Sequence, residues 1–157
     1  MKEDCPSDTA LRVALRRAAH QVLDNPKIFD DPLALRILGV NDPLELQSHP
    51  RWPGESPLAR VLRASLAARS RYCEDELRQA VCRGVCQYVD LGAGLDTFGC
   101  RNPYGEEVLR VIEVDHGATQ GWKRSRIEEE GIPIPETLIF IPIDFETETL
   151  SEGLQHA

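Results

Sequence analysis

Residues 87–101, QYVDLGAGLDTFGCR, decide how the rest of the chain is read. QYVDL is a short apolar strand, and Gly92 and Gly94 follow it directly. Glycines at that place permit a tight turn and let the backbone come close to a ligand. Two more strands follow, LRVIEV at 109–114 and LIFIPI at 138–143. Between them, HGATQGWKRSRIEEEG (116–131) has the length and charge of a crossover helix stopped by Gly131. Strand, helix, strand at this spacing is a right-handed parallel unit. The fold class is therefore α/β, and ligands of such sheets sit outside the C-terminal strand ends, where LGAGLDT lies.

Working outward, the N-terminal half reads as helix. From Ser7 or Asp8 as N-cap, Leu11, Leu15, Ala18, Val22 and Leu23 recur at helical spacing, with Arg12, Arg16 and Arg17 off that stripe. Asn25-Pro26 ends the pattern. A short helix is predicted in DDPLALRILG, capped by Asp31 and stopped by Gly39. Residues 41–55 read as loop. Ser56-Pro57 opens a long helical region, with a break expected near Ser70 and a stop at Gly84. The division is 1–84 as a helical extension packing on the ligand site at the strand ends and 85–157 as the sheet portion, within one structural domain.

The chain has 157 residues, 41% of them hydrophobic and 28% charged, which suits one soluble globular unit with a core. No apolar run is long enough to span a membrane, and MKEDCPSD has no secretory apolar region, so a cytoplasmic protein without a membrane partner is expected. A formal net charge of −8 argues against a nucleic-acid partner. Five cysteines form an odd set without a CxxC pair, so no disulfide framework or zinc ribbon is indicated. Cys82 and Cys86 lie one helical turn apart, and buried thiols are the simpler reading of them.

The acidic residues around the turn say more. Thr97 stands where a dinucleotide fingerprint has its third glycine, and Asp96 would repel a pyrophosphate at a helix start. S-adenosylmethionine carries no phosphate but has a sulfonium and an ammonium, which Asp90 and Asp96 would favour at short range; organising the loop through backbone N–H groups is their alternative task. Asp115 follows the second strand 21 residues beyond Gly94. An acid about 20 residues past the glycines can accept from both ribose hydroxyls; capping the following helix is an equally compatible task. After the third strand, Asp144 can accept from an adenine amine and Phe145 can stack on the base; an ordinary helix cap fits those two as well.

SDTALRVALRRAAH, DDPLA, ARSRYCEDEL, GVCQYVDLGAGLDTFGCR, VIEVDHGATQGWKR and IPIDFE, in that order, resemble the leucine carboxyl methyltransferase-like family. The likeness is greatest to its bacterial branch of S-adenosylmethionine-dependent methyltransferases and covers nearly the whole chain. It implies a Rossmann-like class I methyltransferase fold with a helical N-terminal extension. S-adenosyl-L-methionine is the implied cofactor, held by Gly92, Gly94, Asp115, Asp144 and Phe145. It also implies a basic residue from the preceding helices for the methionine carboxylate. Arg71 is the first choice, with Arg69 and Arg12 as alternatives, and an ion pair between Arg71 and Asp75 as the structural reading.

Family members are about twice as long by that resemblance, so the chain is expected to hold three strands of a larger sheet, apparently truncated after the third. No catalytic residue is assigned. The implied acceptor is a carboxylate or other small-molecule oxygen. A non-catalytic remnant acting as an interaction module, and a nucleotide-binding oxidoreductase fragment, are the competing readings. The open edge of QYVDL predicts self-association.

Overall fold

The computed structural model describes residues 6–105 and 107–155. Helix α1 runs Asp8–Leu23, and the Ser7 side chain caps it by accepting from Ala10 N–H at 3.0 Å. Its buried stripe of Leu11, Leu15 and Ala18 packs with Ile37, Leu46, Leu95 and Ile127 into the larger core. Arg17, off the apolar stripe in the sequence, is nonetheless buried: it is 4% exposed.

Three local expectations are corrected. DDPLALRILG forms turns and a 3-10 segment, Arg36–Leu38, in place of an α-helix. Asp31 does accept from Leu33 N–H, but it is also held by the Thr97 hydroxyl at 2.8 Å, so it serves a long-range contact. Residues 41–55 contain a helix, α2 (Pro43–Ser48), capped by Asp42 with Pro43 in its first turn and Leu46 buried beneath it. Helix α3 (Pro57–Cys82) is continuous through Ser70. A serine inside a long run of good helix formers costs only a few tenths of a kcal/mol, roughly.

Strands β1 (Gln87–Leu91), β2 (Arg110–Asp115) and β3 (Leu138–Pro142) pair in parallel in the order β1-β2-β3. Helix α4 (Gly117–Glu129) connects the last two, as the spacing predicted. The register sets Tyr88 beside Val111 and Asp90 beside Glu113. Because strand side chains alternate, these share one face. On that face Leu77 and Val81 of α3 pack with Tyr88, Val111 and Leu138, and Lys123 of α4 ion-pairs Glu113. The opposite face carries Val114, Ile141 and Ile143, covered near β3 by Leu150 and Leu154 of the short helix α5 (Leu150–Leu154). Val89 and Leu91 stay 39% and 54% exposed there.

Cys73, Cys82, Cys86 and Cys100 are free thiols; Cys82 and Cys86 are exposed, which corrects their reading as buried thiols, and Cys5 lies outside the described residues. Among the described residues no cluster of His, Cys, Asp and Glu could hold a metal, and no helix is long and apolar enough to cross a membrane.

Candidate cofactor site

The chain leaves β1 through Gly92 and Gly94, whose φ values of 71° and 54° fall where glycine is favoured. Gly92 and Ala93 donate to the Val114 carbonyl at 2.8 and 3.2 Å, which straps the turn to the end of β2. Gly94 N–H donates to Asp115 Oδ2 at 2.6 Å, while His116 N–H donates to Oδ1 at 2.7 Å. Asp115 therefore shapes the glycine turn and retains lone pairs on both oxygens for a ligand. The cap of α4 is His116, whose Nδ1 accepts from Ala118 N–H at 3.1 Å, so Asp115 is released from that task.

A cavity of about 530 Å³ opens against this turn, walled by α1, α3, β1 and Asp115. That volume lies inside the range of small-molecule sites, roughly 300–1,000 Å³. Its charged lining comprises Asp90, Asp96, Asp115 and Glu74 against Arg17 and Arg69. Glu74 ion-pairs Arg101, and Asp96 ion-pairs Arg17. Asp90 has no side-chain hydrogen bond or ion pair with any described residue, although it faces the cavity. Burial, then the nearby Asp96 charge, push its carboxyl up to about 6. Burial acts in the same sense on Asp96, but Arg17 and the Phe98 N–H outweigh it and hold that carboxyl below its ordinary value.

The sequence-derived residues divide. Gly92, Gly94, Asp115, Asp90 and Asp96 converge on the cavity. Arg71 does not: it bonds Asp75 at 2.8 and 2.9 Å and faces a separate surface depression. This is the helix-surface pair given above as the structural reading of Arg71. Arg69, one of the alternatives, lines the cavity; Arg12 is exposed and does not. Asp144 and Phe145 also lie outside the lining. Asp144 accepts from Glu146 N–H at 3.0 Å and stands 4.0 Å from His116 Nε2, and the Phe145 ring is exposed. Sequence reading missed Arg17 and Tyr88. Ala10, Ala14 and Arg17 recur at helical spacing, a second stripe of small residues leading to an arginine, and all three line the cavity.

The family model for leucine carboxyl methyltransferase matches residues 10–157, which leaves only the first nine outside it. The chain belongs to the leucine carboxyl methyltransferase family. A Bacillus subtilis relative named "Putative S-adenosyl-L-methionine-dependent methyltransferase YktD" is 35% identical, over 96% of this chain and 56% of its own length. Relatives with the same designation occur in Frankia alni, 35% identical over 87% of this chain and 48% of theirs, and in Streptomyces avermitilis, 34% identical over 78% and 43%. The chain thus spans about half the length of the curated relatives it matches. The residues matched in this family include the whole glycine turn, both strand ends beyond it and the arginine-bearing walls of the cavity.

Proposed function

We propose that this chain forms the S-adenosyl-L-methionine-binding portion of a methyltransferase whose acceptor is a carboxylate or another small-molecule oxygen. One observation carries the reading: an unpaired carboxylate, Asp90, faces a cavity whose turn is built on Asp115. Four carboxylates against two guanidiniums make a poor seat for a pyrophosphate and a good one for a ligand with a cationic end. The bound cofactor would supply a methyl group activated by its sulfonium.

The chain's own residues supply binding and orientation, which is most of what an in-line methyl transfer needs. Asp115 accepts from the ribose hydroxyls while holding the turn. Asp90 attracts the ammonium. Arg69 is the guanidinium placed to pair with the methionine carboxylate. The base would extend past Asp115 toward Asp144 and the exposed ring of Phe145, since Ile143 N–H is bonded to the Asp115 carbonyl at 3.0 Å and keeps these strand ends adjacent.

Calorimetric titration with S-adenosylhomocysteine and with NAD tests the reading. Saturable binding of the former and none of the latter is expected. Binding of NAD in preference would replace this proposal with a dinucleotide site. Arg69→Ala is expected to weaken S-adenosylhomocysteine much more than adenosine, which lacks the carboxylate. Arg71→Ala should change neither ligand, and a selective loss there would return the role to Arg71.

A further inference from the structure

Of the three arginines on α1, only Arg17 is buried, and it reaches two other parts of the chain. Its Nη1 donates to Asp96 of the glycine turn. Its Nη2 donates to Asp31 at 2.5 Å and to the Thr97 hydroxyl at 3.1 Å. The Thr97 hydroxyl in turn donates to Asp31, and Arg101 adds Nε contacts to Thr97 at 3.0 Å and to Asp31 at 3.4 Å. Asp31 has no exposed side-chain surface. A guanidinium fixed on one side by a buried carboxylate presents its remaining edge in one direction only. Here that edge meets Asp96.

We propose that Arg17 is a positioning residue for the cofactor's cationic end: it takes up Asp96 and leaves Asp90 as the free carboxylate of the cavity. This rests on the cofactor reading above and deepens it. Without the Arg17 charge, Asp90 and Asp96 would be like charges on one wall, and each would disfavour ionisation of the other. Arg17 is one of two cations that favour the ionised form of Asp90, and of the two it alone also holds Asp96. The other cation is Lys123 of α4, which is ion-paired to Glu113 and acts on Asp90 ahead of Arg17; Tyr88 offers a phenol, Cys73 a thiol, and Glu74 of α3 is bound to Arg101. Arg69 lines the same cavity from α3, and Asp115 adds a further negative charge from the end of β2.

The test follows the Asp90 carboxyl by carbon-13 NMR against pH in the unliganded chain, with Asp90→Asn identifying its signal. The parent midpoint should lie well above the ordinary carboxylate range, near the value of about 6 that its surroundings impose. Arg17→Gln is expected to move it upward by about one pH unit, and Arg17→Lys to leave it near the parent. Asp96→Asn should move it downward, and this variant carries the test if Arg17→Gln does not fold. S-adenosylhomocysteine affinity should follow the same midpoints. A purely structural arginine would lower the melting temperature without moving the titration. An Asp90 midpoint unmoved in folded Arg17→Gln or in Asp96→Asn, with parent-like ligand binding, overturns the clamp and leaves the cofactor reading standing. Titrations that move as expected in a parent chain that binds no S-adenosylhomocysteine overturn the cofactor reading and, with it, the cationic end assigned to Asp90.

Discussion

At the scale of single residues, Asp115 does two things with one carboxylate, and they can be separated. Asp115→Asn keeps an acceptor for Gly94 N–H but cannot accept from two hydroxyls and both backbone donors together. It is expected to weaken S-adenosylhomocysteine by about 1–3 kcal/mol with little change in melting, whereas Asp115→Ala should lower both. Equal affinities in parent and Asp115→Asn, measured by calorimetry, would reduce Asp115 to a support for the turn. Asp90 predicts a pH dependence. Its folded-state value of about 6 lies above that of an exposed aspartate. Its contribution to stability is therefore complete below the ordinary carboxylate range and is lost as pH rises through about 6. Ligand attraction has the opposite sign, because only the ionised form attracts an ammonium. Affinity should be about tenfold lower at pH 5 than at pH 7, and Asp90→Asn should flatten that profile. Asp115 was legible from its spacing to the glycines, since strand and turn lengths fix that distance. Arg17 was not: arginine beside an apolar stripe reads as solvent-facing, and its partners Asp31, Asp96 and Thr97 are 14, 79 and 80 residues away.

Among the elements, the strands could be read from their apolar runs and α1, α3 and α4 from helical periodicity, with Ser7 and Ser56 marking two starts and Gly84 and Gly131 two stops, although α3 was expected to break near Ser70. The segment 30–39 was misread because Asp31 is drawn into the charge cluster, a tertiary demand that local capping rules do not contain. Thr97 has the same origin. Read as a failed third glycine, it is in fact the hydroxyl that joins the turn to Asp31. Thr97→Val keeps the shape and removes that bond, and is expected to cost about 1–3 kcal/mol in denaturant unfolding. An unchanged midpoint would show that Arg17 and Arg101 alone satisfy Asp31. The 3-10 segment Gly99–Arg101 sits hard against the sheet, so that a Cβ at Gly99 would lie 2.6 Å from Leu138 Cδ1 and 2.7 Å from Glu113 Oε1. Gly99→Ala should therefore destabilise by about 1–3 kcal/mol through overpacking. Parent-like stability would mean that Leu138 and the Glu113–Lys123 pair can shift aside.

For the molecule as a whole, both outer edges of the sheet are open: among the described residues no strand pairs with the outer edge of β1 or of β3. Val89 and Leu91 on β1 present apolar surface beside unpaired backbone groups, a template for another strand. Antiparallel pairing of β1 with its copy about Val89 would set Tyr88 against Asp90 and join two sheets across a two-fold axis. The chain alone is thus expected to self-associate in sedimentation velocity, and Val89→Lys to shift it toward monomer. A parent chain monomeric across the concentration series would contradict this. No acceptor could be read from the sequence for a physical reason: the cavity lining is accounted for by the glycine turn, its carboxylates and the α1 and α3 walls, and the matched relatives extend well beyond this chain. Amide chemical-shift mapping with S-adenosylhomocysteine reads out whether the ligand occupies the cavity between α1, α3 and the glycine turn. Saturable shifts are expected, concentrated at Asp90–Asp96, Asp115 and the Arg69–Cys73 turn of α3. Shifts centred on the Arg71–Asp75 surface, or none at saturating ligand in a folded chain, would contradict that occupancy.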